Sequence, residues 1–239
     1  LPPKDGAVVR RVDMTDQTAK LDWKGGVPIA TLFDDPYYSL DDGLAETEHV
    51  FLGGNGLPAR FDGDFHIAEL GFGTGLSLLV TWAAWKLAGY PGTLQFTSFE
   101  AYPMAPADMA AALAGFPTLT PYAEKLLRTW VPGSGTTKLT DGLTLQVITG
   151  DARHTLPAWD GQADAWFLDG FSPAKNPELW EADLLYAVAR HTKPGGTAAT
   201  YSAAGQIRRS LSAAGFSVTR APGYGRKRHM TKARMPDAE

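Results

Sequence analysis

The stretch Phe65 to Gly75, FHIAELGFGTG, running on into LSLLVTWAAWKLAG at residues 76 to 89, decides how this chain folds. An apolar, partly β-branched run (Phe65, Ile67, Leu70) meets glycines at alternate positions, Gly71, Gly73 and Gly75. Apolar residues at helical spacing follow: Leu76, Leu79, Val80, Ala83 and Leu87. The pattern predicts a strand, a glycine turn and a helix. Glycine suits the bend because the backbone must turn tightly and let a ligand approach with no Cβ in the way. The free N–H groups at the helix start then face that ligand.

Such a turn serves several cofactors, and the residue ahead of it helps to choose among them. Glu69 stands two positions before Gly71, so a carboxylate lies near whatever Gly71, Phe72, Gly73, Thr74 and Gly75 cradle. Pyrophosphate would be repelled by that charge, whereas the ammonium of a methionine moiety would be attracted. The dinucleotide fingerprint also needs G-x-G-x-x-G, and here Leu76 stands where the third glycine is required. The acid therefore favours S-adenosylmethionine over NAD; a bare strand-to-helix turn with no ligand is the competing reading.

A chain of 239 residues, 44% of them hydrophobic, buries one substantial core and leaves room for a small appended lobe. The absence of cysteine removes thiolate zinc sites, cysteine-ligated iron–sulfur clusters and cysteine nucleophiles. None of the five histidines pairs with another at ligand spacing, so no metal is expected. No apolar run approaches a membrane span and the start lacks a signal-peptide pattern, which makes a soluble cytoplasmic protein the expectation. The net charge of −4 conceals an asymmetry: from Arg190 onward there are ten Lys or Arg against two acids, on an otherwise acidic body. That distribution fits a polyanion such as RNA, or else solvated late helices and strands.

Residues 1 to 64 are rich in Gly, Pro and Asp. VVRRVDM and LDWKGG suggest a short hairpin, and Gly43 to Leu52 has helical spacing. In FDDPYYSLDD the acid pairs Asp34-Asp35 and Asp41-Asp42 flank Tyr37 and Tyr38; together they could hold a flat base and a cationic amine, or could pack and cap turns. Further on, Leu94 to Glu100 reads as a strand whose terminal Glu100 falls where a nucleotide fold places a ribose-binding carboxylate. Residues 105 to 130 read as helical with a break at Phe116-Pro117. Leu143 to Ala152 forms a third strand; Asp151 at its end either touches adenine or caps the next helix.

The second signature is ADAWFLDGFSPAKNPELW, residues 163 to 180. Ala163 to Leu168 reads as a buried central parallel strand, Asp169 ends it, a proline-stiffened loop follows, and Glu178 opens a helix to Arg190. A strand in GGTAATYS, a helix in GQIRRSLSAAG, a strand in FSVTR and a last strand near Lys227 to Ala233 complete the alternation. The fold expected is α/β, a doubly wound, mostly parallel Rossmann-like sheet over residues 61–239, with an N-terminal extension at residues 1–60 contributing to the substrate site.

ELGFGTG, DDGLAETEHVFL and above all DAWFLDGFSPAKNPELW resemble the methyltransferase domain of the bacterial tRNA-modifying MnmC enzymes and their stand-alone MnmD relatives, over roughly residues 20 to 235. The resemblance implies a class I S-adenosylmethionine fold that methylates the aminomethyl group of the wobble uridine in tRNA, giving 5-methylaminomethyl-2-thiouridine. It also implies a flavin-dependent oxidoreductase, as a separate or lost partner domain, that makes the amine. On this basis Asp169 is expected to bind the amine and take its proton, with Phe171 and Tyr38 against the base. Pro173, Lys175, Asn176, Arg226, Lys227 and Arg228 are expected to meet the rest of the substrate, the cations through phosphate. A small-molecule N- or O-methyltransferase would use the same cofactor residues without the basic late segment.

Overall fold

A computed structural model describes residues 18–89 and 92–238 of the chain. The glycine-turn unit stands at its centre. Phe65–Leu70 is a strand (β4) and Leu76–Ala88 a helix (α2), joined by the Gly71–Gly75 turn. Parallel strands flank β4 on both sides: Leu94–Glu100 (β5) on one and Ala163–Leu168 (β8) on the other. Beyond β5 lie Leu143–Thr149 (β7) and then Gly135–Thr140 (β6), the latter antiparallel. Beyond β8 lies the parallel strand Thr192–Thr200 (β9). His229–Arg234 (β11), antiparallel to it, and Ser217–Pro222 (β10) complete that wing. The eight-stranded order is β10-β11-β9-β8-β4-β5-β7-β6. The chain direction reverses its march at β4, the place where an open α/β sheet leaves a crevice at the carboxyl ends of its strands.

Strand periodicity sorts the core onto two faces. Phe65 and Ile67 face α2 together with Ala165 and Phe167, and that side also takes Pro106–Leu113 (α3) and Thr120–Thr129 (α4). Ala68, Leu70, Trp166 and Leu168 face the opposite cluster, filled by Ala182–Arg190 (α6) and Gly205–Ala213 (α7). Both faces of the central strands are therefore covered, which is why they read as nearly unbroken apolar runs.

The N-terminal residues form a three-stranded antiparallel sheet, Leu21–Lys24 (β1), Val27–Ala30 (β2) and Asp35–Pro36 (β3). LDWK pairs with VPIA directly after it, and the expected partner VVRRVDM lies outside the described residues. Gly43–Thr47 (α1) is capped by the Asp42 carboxylate, which accepts from Ala45 N at 2.9 Å. The helical path continues through a wider turn, Glu48–Leu52, and a tighter one, Gly53–Asn55. This segment is part of the main core: Val50, Phe51 and Leu52 are buried there, and Asn55 donates to Trp166 O at 3.2 Å and accepts from Thr197 Oγ1 at 2.6 Å.

Three expectations are corrected. The edge strand β6 was not expected, and its Gly- and Thr-rich, half-exposed sequence carries no clean alternation. The third strand ends at Thr149; Asp151 is the cap of a short helix, Ala152–Thr155 (α5). The helix after the second signature starts at Ala182: Pro177–Trp180 makes a single tight turn and Glu181 is extended, because Trp180 is pinned when its Nε1 donates to Phe171 O at 2.8 Å.

Candidate active site

The carboxyl ends of β4, β5, β7 and β8 open into a cavity of about 790 Å³. Its floor is the Gly71–Thr74 turn, its sides are the segments after β5, β7 and β8, and its roof comes from Leu32–Ser39 and α1. Gly71 sits at φ +89°, and a Cβ there would overlap the Asp169 carbonyl oxygen, so the turn after β4 and the end of β8 touch through bare backbone. Gly73 N donates to Glu100 Oε2 at 2.9 Å, and Tyr102 N donates to Glu100 Oε1 at 2.7 Å. Glu100 is thereby held at the cavity wall. Burial pushes its carboxyl up and the backbone donors pull it back.

Two further acids stack along the α2 side of the sheet. Glu69 is 1% exposed, beneath the glycine turn; its Oε2 accepts from Ser98 Oγ at 2.7 Å while the buried Oε1 has no hydrogen-bond partner. Desolvation, then the neighbouring Asp169 charge, raises its pKa well above the ordinary value. Asp169 lines the cavity, and Ser77 Oγ lies 3.5 Å from its Oδ2. Burial first and Glu46 second push the Asp169 carboxyl up to about 7, against a partial pull from Lys227. A carboxylate poised there can accept a proton near neutral pH.

Aromatic rings form the far wall. Phe171 stacks on Phe33 with centroids 4.8 Å apart and meets Tyr37 edge-on at 5.1 Å. Tyr37, half-buried, has its phenol pushed up first by desolvation and then by Glu100. Tyr38 also lines the cavity, but its hydroxyl donates to Ala112 O at 3.1 Å and its ring packs on Phe116. The roof is fastened to the loop after β8: Ser172 N donates to Asp35 Oδ2 at 2.7 Å, and Lys175 Nζ pairs with Asp34 Oδ2 at 3.0 Å.

Of the residues expected in the site, Gly71, Phe72, Gly73, Thr74, Glu100, Asp151, Asp169, Phe171, Tyr38, Lys175, Asn176 and Lys227 line this cavity. Glu69 and Gly75 lie under its floor: Gly75 is the left-handed residue that starts α2. Asp41, Asp42, Pro173, Arg226 and Arg228 are outside it; Asp42 caps α1, and exposed Arg226 faces Asp41 at 3.6 Å. Asp151 caps α5, accepting from Arg153 N at 2.9 Å and pairing with the Arg153 guanidinium at 2.6 Å, and also lines the cavity. Lys175 Nζ pairs with Asp34 and Asp35.

Asp35 and Tyr37 of the acid-tyrosine stretch line the cavity, and so do Phe33, Glu46 and Tyr201, which were not expected there. Phe33, Asp35 and Tyr37 belong to the aromatic-acid stretch already singled out, and Glu46 stands one helical turn after the cap Asp42, the only local signal for it. Tyr201 follows β9 and gives its hydroxyl to Gly170 O at 2.6 Å. Among the described residues no helix is long and apolar enough to cross a membrane, and no group of three or more His, Cys, Asp or Glu could hold a metal ion.

Residues 117–236 match a family model described as S-adenosyl-L-methionine-dependent methyltransferase. The chain is 44% identical, over 94% of its length and 36% of the other's, to the tRNA 5-methylaminomethyl-2-thiouridine biosynthesis bifunctional protein MnmC of Chromobacterium violaceum. It is 46% identical to the protein of that name from Ralstonia nicotianae, over 88% of this chain and 33% of the other. The chain thus spans about a third of the length of these curated relatives. Among solved structures it superposes on MNMC2 from Aquifex aeolicus with a TM-score of 0.72 and 25% identity, over 92% of this chain and 73% of that one.

Proposed function

The chain belongs to the S-adenosyl-L-methionine-dependent methyltransferases, and we propose that it methylates the nitrogen of the 5-aminomethyl group on the wobble uridine (position 34) of tRNA, forming 5-methylaminomethyl-2-thiouridine. The observation that carries this reading is Asp169. It is a carboxylate at the end of a central strand, raised to about 7, placed between the glycine cradle and the Phe33–Phe171–Tyr37 aromatic wall. The likeness to the bifunctional relatives supports the tRNA amine as the acceptor.

The residues present suit the donor. The Gly71–Thr74 turn presents main chain without a Cβ at Gly71 and Gly73 to the cavity, and Glu100 stands at the end of β5, where folds of this kind place the carboxylate that meets a ribose diol. When bound, S-adenosylmethionine supplies a sulfonium methyl that passes to a neutral amine nitrogen and leaves a thioether behind. The chain's own task is to align the amine and to free its lone pair. An alkyl ammonium gives one proton to the Asp169 carboxylate, and the nitrogen then faces the methyl with Phe171 and Tyr37 excluding water. This reading places the protein in the cytoplasm with tRNA as partner, and a flavin-dependent oxidoreductase, as a domain or a separate protein, supplies the amine.

The test is to incubate labelled S-adenosylmethionine with bulk tRNA from cells lacking the modification and to identify the nucleoside that gains label. Label in 5-methylaminomethyl-2-thiouridine is expected. Label in another nucleoside, or only on free small amines in a salt-insensitive reaction, overturns the acceptor assignment.

A further inference from the structure

At the mouth of the cavity, between the roof and the turn that joins β10 to β11, one charged group stands in for what the site is built to hold. Lys227 Nζ lies 2.7 Å from Glu46 Oε1 and 4.1 Å from the centroid of the Tyr201 ring. All three residues, and Asp169 below them, line the same cavity. A carboxylate on one side and an aromatic face on the other are the two elements that recognise a primary alkylammonium. Lys227 is itself a primary alkylammonium, on a flexible four-carbon stem.

The three partners are not equally fixed. The Glu46 side chain is only 12% exposed, on a helix continuous with the buried core. Tyr201 is locked by its hydrogen bond to Gly170 O. The Lys227 side chain is 45% exposed and rides on an open turn closed by Lys227 N donating to Tyr224 O at 3.0 Å. An acid as enclosed as Glu46 needs a cation, because leaving it unpaired costs far more than the pair itself gains. The cation, however, need not be Lys227.

We propose that Glu46 and the face of Tyr201 form the subsite for the acceptor ammonium, and that Lys227 is a built-in placeholder which gives way to it. This rests on the tRNA amine reading above. The entering aminomethyl group replaces one primary ammonium by another, so Glu46 stays paired until the proton passes to Asp169 and is paired again by the methylated ammonium. Lys227 swings out to the side where its exposed neighbours Arg226 and Arg228 stand, toward the phosphates of the incoming strand. The ammonium is then held beside Asp169, ready to lose its proton there. Glu46 and Tyr201 are binding residues in this scheme, and selectivity for an amine over a hydroxyl at the same position follows from the charge they accept.

Isothermal titration of the wild type, Glu46→Gln and Lys227→Met, each loaded with S-adenosylhomocysteine, tests this. The ligands are 5-aminomethyluridine, its neutral control 5-hydroxymethyluridine, and propylammonium. Lys227→Met should bind the aminomethyl nucleoside several-fold more tightly, and Glu46→Gln about tenfold more weakly, as for a charge-assisted contact. The hydroxymethyl control should move in neither. Equal S-adenosylhomocysteine affinity in all three certifies the folds, with Glu46→Asp as the replacement should Glu46→Gln fail to fold. A Glu46 variant that keeps the wild-type preference for the amine, or a Lys227→Met variant that binds it more weakly, overturns the subsite. If the wild type methylates no tRNA amine yet Glu46→Gln loses propylammonium, the tRNA reading falls while the ammonium site stands.

Discussion

The α carbon of Gly71 rests against the carbonyl oxygen of Asp169, so the donor cradle after β4 and the candidate base after β8 are held to one another through backbone alone. A methyl group in that contact must push the two strand ends apart. Gly71 also adopts φ +89°, which a residue with a Cβ reaches only with strain. Gly71→Ala should therefore destabilise the fold by about 1–3 kcal/mol and lower S-adenosylmethionine affinity more than stability alone explains. Denaturant unfolding and cofactor titration of one preparation check this; unchanged cofactor affinity would show that the close approach is dispensable.

How much of this was legible in sequence follows from the range of each interaction. The β4–turn–α2 unit and the ending of β8 at Asp169 are local, written in strand and helix periods and in glycines a few residues apart. The roof is different. Asp35 reaches Ser172 across 137 positions and Glu46 meets Lys227 across 181, and pairs that far apart leave no period in either segment. The basic late segment was read as a net charge, yet Lys193, Arg226, Lys227 and Arg234 are matched to Asp164, Asp41, Glu46 and Asp237. Arg190, Arg209, Arg220 and Arg228 remain exposed for a polyanion. Helix boundaries near residues 177–182 depended on a tryptophan hydrogen bond that sequence spacing does not encode.

Asp169 makes a pH prediction with two readouts of opposite sense. Its carboxyl is raised from 3.8 to about 7, so the folded state prefers the protonated form. The stability associated with it is complete below about pH 4 and is lost as pH climbs to about 7. Asp169→Asn, neutral at every pH, should melt at a higher temperature than the wild type at pH 8, and the gap should close as pH approaches 4. Methyl transfer should behave in the other direction, rising in the wild type as the carboxylate forms around pH 7 and falling by two or more orders of magnitude in Asp169→Asn. A variant with an intact pH–rate profile would remove Asp169 as proton acceptor.

Glu69 gives a binding prediction. In the free protein, desolvation and Asp169 favour its protonated form; a cation brought to its partnerless oxygen favours the ionised one. S-adenosylmethionine should then bind with release of a proton, and its affinity should rise with pH. Glu69→Gln keeps an acceptor for the Ser98 hydroxyl and should bind the donor about tenfold more weakly, with the pH dependence flattened. Calorimetry in buffers of different ionisation enthalpy measures the released proton directly, and a proton count of zero in the wild type would exclude the coupling.

Lys175 separates an internal strut from a phosphate ligand. Its ammonium sits among Asp34 Oδ2, the Asp34 carbonyl oxygen and Asp35, and its side chain is 38% exposed. An exposed pair of this kind contributes about 1 kcal/mol or less. Lys175→Met should accordingly lower stability little and leave the salt dependence of tRNA binding as it is, whereas loss of a phosphate contact would reduce the slope of log K against log salt by about 1. Asp35→Ala is the stronger change, because it leaves the half-buried Ser172 N–H without its acceptor. That variant should expose the Ser172–Asn176 loop to proteolysis and raise the KM for tRNA several-fold while S-adenosylmethionine affinity holds. A tRNA KM that stays at the wild-type value would mean that the roof does not need to be fastened for the acceptor to dock.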